Sequence, residues 1–197
     1  MPSNLDKQEL QKWKIGVCIG TSVGCTLNNE PFYRDYRAGK NPELSAINRY
    51  FYNNPAIYIA EKFKCKGPVA TIANACSSGT DAIGLAKSWL ENDLCDIVIA
   101  GGADELSRIT YLGFISLLIS STEACQPFDI NRKGLNLGEG AGIIIMEKQE
   151  VSKARGSKSL ANIVGYATFA DAYHPTAPHP EGIGLTRAIN QAMKQAG

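Results

Sequence analysis

One stretch decides the fold: Thr71-Ile72-Ala73-Asn74-Ala75-Cys76-Ser77-Ser78-Gly79-Thr80. A β-prone run ends there in a cysteine, and a helix-forming run begins directly after it. Backbone N–H groups in a first helical turn lack intrahelical partners and the helix dipole is positive at that end, so a thiolate at Cys76 is favoured. The small residues that follow leave room for a thioester carbonyl. The alternative is a buried structural cysteine, which is the more common role of a free cysteine.

The composition indicates a globular protein that acts on small or protein-borne substrates. The chain has 197 residues, 44% of them hydrophobic, which is enough to bury a core. Its formal net charge is +1 and it has no dense run of Lys and Arg, so a nucleic-acid or anionic-membrane partner is not expected. The longest strongly apolar stretch, residues 113–121, is far shorter than the roughly 20 residues that span a bilayer. The polar start, residues 1–12, lacks the apolar core of a signal peptide, so we expect a cytoplasmic protein.

The cysteines and glycines do not indicate a metal or a nucleotide cofactor. The six cysteines include no C-x-x-C pair and no nearby pair of histidines, which argues against structural zinc. Cys18 and Cys95 lie in apolar strand-like runs, and we expect them to be reduced core residues. The glycine-rich segment 138–142 precedes a strand, whereas a dinucleotide loop follows one. The segment Gly20–Gly24 lacks the Gly-Lys-Ser/Thr ending of a phosphate-binding loop.

Strand-like and helix-like segments alternate along the chain, which predicts an α/β fold. The predicted strands are Lys14–Thr21, Val69–Ala75, Asp96–Ala100, Ile143–Glu147 and Ala161–Ala170. The predicted helices are Asn54–Phe63, Ser77–Leu90, Ser107–Ser120, Gln149–Arg155 and Glu181–Ala196. Between the last strand and the last helix lies Asp171–Pro180, a loop with three prolines and both histidines of the chain. Such a loop is a functional candidate, although His174 and His179 also fit ordinary solvated residues.

Five segments together resemble one family in order and spacing. They are Asn74-Ala75-Cys76-Ser77-Ser78-Gly79, Ile97-Val98-Ile99-Ala100-Gly101-Gly102-Ala103-Asp104, Pro127-Phe128-Asp129, Leu137-Gly138-Glu139-Gly140-Ala141-Gly142 and Asp171-Ala172-Tyr173-His174. The chain resembles an elongating β-ketoacyl-acyl-carrier-protein synthase of the thiolase superfamily, from about Lys14 to Gly197. The resemblance implies a partial thiolase-like fold, with residues 1–156 as most of the N-terminal half and residues 157–197 as the start of the C-terminal half. It also implies a decarboxylative Claisen condensation in fatty-acid or polyketide synthesis.

The resemblance assigns roles to individual residues. Cys76 would accept the acyl chain, and Phe114 would line the acyl pocket beyond it. Thr176 and His174 would contact the pantetheine arm, and Asp171 and Tyr173 would belong to a gating loop over the site. The implied partners are an acyl carrier protein or acyl-coenzyme A, whose phosphopantetheine arm carries the substrate, and no separate cofactor or metal is implied. The family also implies a homodimer, which we expect to form through Thr71 to Ala75.

The chain departs from the family in several ways. The family's two histidine segments, one of them a His-Gly-Thr motif, do not occur in the sequence. The family's opening strand and helix are not matched, and because the family places that strand in the middle of the sheet, we expect a gap there. The helix around residues 113–121 carries no basic residue for carrier docking. We therefore expect these 197 residues to be inactive in isolation. A thiolase, or a non-catalytic dimerising partner or remnant of a condensing enzyme, remains an alternative.

Overall fold

The computed structural model describes residues 11–24, 26–45, 47–48 and 54–197. Their centre is a four-stranded sheet with strand order β2-β1-β3-β4. The strands are β1 Ile15–Gly20, β2 Val69–Ile72, β3 Ile97–Asp104 and β4 Gly140–Glu147. Strand β1 runs parallel to both β2 and β3, whereas β4 runs antiparallel to β3. This mixed sheet with helices confirms the predicted α/β class.

Helices connect and cover the strands. They are α1 Glu30–Arg37, α2 Pro55–Phe63, α3 Ser78–Glu91, α4 Arg108–Ser116, α5 Gln149–Ala154 and α6 Ile183–Ala196. Short 3₁₀ turns cover Thr26–Asn29 and Ala75–Ser77. In the described part of the chain, no helix is long and apolar enough to cross a membrane.

The two faces of the sheet pack against different helices because neighbouring residues of a strand point to opposite sides. Cys18 of β1 packs with Ala82 and Ala86 of α3 on one face. Val17 and Ile19 of β1 pack with Ala56 and Ala60 of α2 on the other. Strand β1 is therefore buried along its whole length, as expected for a parallel strand covered on both faces.

Most predicted elements are confirmed, with shifted ends. Helix α2 begins as predicted because the Asn54 side chain accepts a hydrogen bond from the N–H of Ile57, and Pro55 occupies the first turn. Strand β3 continues to Asp104, beyond the predicted end at Ala100. Strand β2 stops at Ile72, three residues before the predicted end. Helix α4 stops at Ser116, and Leu118 then adopts a φ of 58°.

The predicted strand Ala161–Ala170 is wrong. These residues form no strand in the structure, because an apolar run becomes a strand only where another strand pairs with it. The segment lies against helices instead. The Tyr166 ring packs on Gly84 of α3, and Gly165 packs on the backbone of Ala192 of α6. Helix α3 is therefore covered by the sheet on one side and by this segment on the other.

The expected gap in the middle of the sheet is also absent. Strand β1 pairs directly with β3 over six residues, from Ile15 with Ile97 to Gly20 with Gly102. Among the described strands, the two outer ones are β2 and β4.

Candidate active site

Cys76 lies on a sharp turn between β2 and α3. The preceding residue, Ala75, has a φ of 48°, a left-handed conformation that is uncommon for a residue with a side chain. Ala75–Ser77 form one 3₁₀ turn, and α3 begins directly after it at Ser78. The Cys76 side chain is exposed. Strained strand-to-helix turns of this kind hold nucleophilic side chains at the surface of other folds.

A buried hydroxyl closes this turn from below. Ser78 is only 2% exposed. Its Oγ donates a hydrogen bond to the carbonyl oxygen of Ala75 and accepts one from the N–H of Asn74, and both bonds are 2.7 Å long. The hydroxyl thereby satisfies two backbone groups that the turn leaves without regular partners. These bonds stabilise the conformation that presents Cys76.

Glycines bring the start of α3 directly onto the sheet. A Cβ atom at Gly20, the last residue of β1, would collide with the backbone of Ser78 and Gly79. A Cβ at Gly102 of β3 would lie 3.3 Å from the Cα of Gly79. The first turn of α3 can approach both strands only because these positions have no side chain. The carboxyl ends of β1 and β3 thus support the Cys76 turn.

A carboxylate on α3 binds both sides of the turn. Asp81 Oδ2 accepts hydrogen bonds from Asn74 Nδ2 at 2.6 Å and from the Ser77 hydroxyl at 2.8 Å. Its other oxygen, Oδ1, accepts from the hydroxyl of Tyr166 at 2.6 Å. Partial burial acts to raise the pKa of Asp81, but these hydrogen bonds outweigh it, so the pKa lies below its ordinary value. Asp81 is therefore ionised at neutral pH.

Tyr166 connects this carboxylate to the segment that leads into the histidine-containing loop. Partial burial and the hydrogen bond to the Asp81 carboxylate raise the pKa of Tyr166 to about 12, so its hydroxyl stays protonated and donates. Its backbone N–H donates to Gln195 Oε1 of α6 over 3.0 Å. The Cys76 turn, residues 161–170 and α6 are thus joined by hydrogen bonds.

The loop Asp171–Pro180 has its own internal order without regular secondary structure, as predicted. Asp171 accepts from the N–H of His179 at 2.9 Å and from that of Gly184, in the first turn of α6, at 3.0 Å. His174 Nδ1 accepts from the N–H groups of Thr176 and Ala177 at 3.1 and 3.0 Å. The rings of Tyr173 and His179 are 4.8 Å apart between centroids. The loop is therefore pinned to the start of α6.

The structure brings some of the predicted site residues together but not all. Asp171, Tyr173, His174 and Thr176 lie in one loop. The turn that carries Cys76 is connected to the segment before that loop through Asp81 and Tyr166. Phe114 is half-buried in α4. Within the described residues, no hydrogen bond or ring contact joins Cys76 to Phe114 or to the loop itself. Their roles in substrate binding remain predictions.

The other cysteines differ from Cys76 in their surroundings. Cys18 and Cys95 are buried in the core as predicted, and burial raises the pKa of the Cys18 thiol to about 12. Burial also raises the pKa values of Cys95 and Cys65 above their ordinary range. Cys125 is exposed, but it lies in a loop where its N–H donates to Asn136 Oδ1. Of the described cysteines, Cys76 alone is both exposed and at a helix start.

Residues 2–152 match the family model for the N-terminal domain of β-ketoacyl synthases. The chain belongs to the β-ketoacyl synthase family. A 3-oxoacyl-[acyl-carrier-protein] synthase 2 of Synechocystis sp. is 37% identical over 96% of this chain and 48% of its own length. A putative polyketide β-ketoacyl synthase 1 of Streptomyces cyaneus is 35% identical over 98% of this chain and 50% of its own length.

Solved structures show the same fold. A ketosynthase structure described as a type II PKS acyl-carrier protein in complex with its ketosynthase matches with a TM-score of 0.85 and 25% identity. The match covers 98% of this chain and 51% of that one. This β-ketoacyl synthase chain thus spans about half the length of the relatives it matches. The thiolase-like fold expected from the motifs is confirmed.

Sequence reasoning missed the polar network around the nucleophile turn of this β-ketoacyl synthase. Ser77 and Asp81 are four residues apart on successive helical turns, a spacing at which side chains meet, so this contact could have been found. The bond between Asp81 and Tyr166 joins residues 85 positions apart and has no local signal. The same holds for Asp104, which accepts hydrogen bonds from the Thr21 hydroxyl and from the backbone and hydroxyl of Ser22.

No group of three or more His, Cys, Asp or Glu side chains in the described ranges is arranged to hold a metal ion.

Proposed function

We propose that the protein is an elongating β-ketoacyl-acyl-carrier-protein synthase and that Cys76 is its acyl acceptor. The single observation that supports this most is an exposed cysteine on a strained turn at the start of α3, within a chain of this family. An exposed thiol at a helix start is accessible and lies where the helix dipole favours its anion. Neither Cys18 nor Cys95 meets these conditions, because both are buried.

The chemistry of this chain is acyl capture. The Cys76 thiolate attacks the carbonyl carbon of an acyl thioester, a C–S bond forms, and the negative charge moves to the carbonyl oxygen. Backbone N–H groups of the first helical turn, including that of Cys76, are suited to stabilise this oxyanion. The carbonyl then reforms, the C–S bond to the carrier breaks, and the carrier thiolate takes up a proton. In the condensation, a malonyl carrier loses carbon dioxide and its carbanion attacks the acyl carbonyl carbon on Cys76. A C–C bond forms, the C–S bond to Cys76 breaks, and the Cys76 thiolate leaves and is available for the next acyl chain.

The identity of the molecule that carries the substrate is part of the same proposal. The name of the Synechocystis relative indicates that it acts with an acyl carrier protein. We propose an acyl carrier protein or acyl-coenzyme A as donor, with phosphopantetheine entering only as the carrier's arm. Phe114 would line the acyl pocket, and Thr176 and His174 would contact the pantetheine. We propose a gating role for the loop, in which Asp171 connects the loop to α6 through the N–H of Gly184 and to its own far end through the N–H of His179.

We also propose a homodimer through Thr71 to Ala75. Strand β2 is an outer strand of the described sheet, so one of its edges is available to a second copy. An edge strand that pairs with its own copy across a two-fold axis makes a closed contact. A cytoplasmic location is proposed as well, because Cys18 and Cys95 are free thiols in the core.

The experiment that tests this function is acyl transfer to the full-length protein, followed by mass spectrometry of the Cys76 peptide. Octanoyl-coenzyme A is a suitable first donor. Acylation should be lost in Cys76→Ala and retained in Cys125→Ala, which removes the other exposed cysteine of the described residues. Acylation that persists in Cys76→Ala would contradict the proposal. A subsequent requirement for acetyl rather than malonyl donors would indicate a thiolase, and no transfer at all would favour a non-catalytic partner.

A further inference from the structure

The Asp81 carboxylate joins the Cys76 turn, Asn74–Ser77, to residues 161–170. Two of its donors, Asn74 and Ser77, flank the two residues that define the turn, Ala75 and Cys76. The third donor is the Tyr166 hydroxyl. It approaches α3 from the side that faces away from the sheet. A single carboxylate thus receives three hydrogen bonds from two separate parts of the chain.

We propose that Asp81 is a positioning residue, whose ionised carboxylate holds the Asn74–Ser77 turn in the conformation that presents Cys76 for acyl transfer. This inference rests on the proposed function of Cys76. Ala75 adopts a left-handed φ of 48°, which must be held by its surroundings because it is unfavourable for a non-glycine residue. Ser78 holds the backbone from below, and Asp81 holds the side chains of the flanking residues.

Tyr166 in turn orients the carboxylate. Its ring packs on Gly84, one turn further along α3 from Asp81, where any side chain would collide with it. The ring is therefore fixed while its hydroxyl donates to Asp81 Oδ1 at 2.6 Å. Hydrogen bonds to a charged group are shorter and stronger than those between neutral groups. The arrangement makes the geometry at Cys76 depend on residues 161–170, which directly precede the histidine-containing loop.

The decisive variant is Asp81→Asn in the full-length protein. It keeps the shape of the side chain and replaces one acceptor oxygen with an NH₂ group. If the NH₂ faces Asn74, it meets the donor Nδ2 of that residue, and if it faces Tyr166, the phenol hydroxyl must turn and accept instead of donate. In either orientation the hydrogen bonds lose their charged acceptor. Glu91→Gln is the matched control, because it makes the same change of charge on the same helix, where Glu91 pairs with Lys87.

Two rates at Cys76 are compared. Acyl transfer from octanoyl-coenzyme A requires the exact orientation of the turn and its N–H groups, whereas alkylation by iodoacetamide requires only an accessible thiolate. Asp81→Asn should slow acyl transfer by about tenfold or more and change the alkylation rate by less than about twofold, since the hydrogen bonds that hold the turn lose their charged acceptor. Tyr166→Phe, which removes one donor, should slow acyl transfer by about threefold. Glu91→Gln should behave as the wild type.

Three results would overturn the inference. One is an unchanged rate of acyl transfer in Asp81→Asn. Another is a parallel loss of acyl transfer and alkylation, which would indicate a general loss of structure. If Asp81→Asn does not fold, Tyr166→Phe becomes the test, and wild-type transfer in that variant is the third. Absence of acyl transfer in the wild type would instead refute the proposed function of Cys76. That outcome differs from a failure of the inference about Asp81, in which the wild type transfers the acyl group and Asp81→Asn does so equally fast.

Discussion

Gly20→Ala should destabilise the protein because the added methyl group would overlap with the backbone at the start of α3. The added Cβ would lie 2.5 Å from the backbone N of Gly79 and closer still to the carbonyl group of Ser78. Real Cβ contacts are not this short, and backbone atoms cannot move aside as a flexible side chain can. The first turn of α3, which directly follows the turn that carries Cys76, must therefore move away from β1.

The magnitude follows from two opposing effects. Overpacking of a well-packed site costs about 1–3 kcal/mol. Replacing glycine restricts the unfolded chain, which stabilises the native state by about 0.4–1 kcal/mol. Because the clash is with backbone, we take the upper part of the first range and expect a net loss of about 2 kcal/mol. Gly142→Ala in β4 is the matched control, since its added methyl meets nothing within 4 Å.

The assay is guanidinium unfolding of the full-length protein followed by circular dichroism, with the acylation of the Cys76 peptide measured alongside. The control should be as stable as the wild type or slightly more stable, so the two variants should differ by about 2–3 kcal/mol. Gly20→Ala should also slow acyl transfer because it displaces the nucleophile turn. Equal unfolding free energies of the two variants would refute the close approach of β1 and α3.

Two further predictions concern the sheet edge and pH. Ala73→Pro removes a backbone N–H from the proposed dimer contact at Thr71 to Ala75, so light scattering should show a shift from dimer toward monomer, and an unchanged mass would contradict the edge pairing. Asp104 accepts three hydrogen bonds from Thr21 and Ser22, which lower its pKa although burial opposes this. Its contribution to stability is therefore complete above the unfolded pKa of about 3.9 and is lost as the pH falls through the lowered folded value. Asp104→Asn should consequently lose stability relative to the wild type at pH 7 and less so below about pH 3, as measured by unfolding at both pH values.

Local chemistry explains which parts of the fold could be predicted from the sequence. The start of α2 depends on Asn54 and Pro55, two neighbouring residues with known preferences for a cap and a first turn. The change from strand to helix around Cys76 follows equally from a β-prone run and small residues at a helix start. Cys18 and Cys95 lie in apolar runs, and both are buried. In each case the deciding interactions lie within a few residues.

Non-local pairing explains the errors. Residues 161–170 contain a strand-like apolar pattern, yet no described strand lies beside them, so they pack on α3 and α6 instead. Strand β3 extends to Asp104 because β4 pairs with it as far as Gly140, a partner 36 residues later in the chain. The gap that we expected in the middle of the sheet is absent, since β1 and β3 pair directly. Pairing of this kind depends on which segments meet in space, and composition does not report it.

Local and non-local interactions combine at the Cys76 turn. Its sequence favours a helix start, but the left-handed Ala75 is held by three groups that come from different distances along the chain. Ser78 is three residues away, Gly20 is 55 residues earlier, and Tyr166, acting through Asp81, is 91 residues later. Each group acts on the same short segment, residues 74–79, so the effects of replacing them should be coupled rather than additive. The reactivity of the cysteine is therefore a property of the folded chain around it, even though the residue that performs the chemistry can be identified from ten consecutive positions.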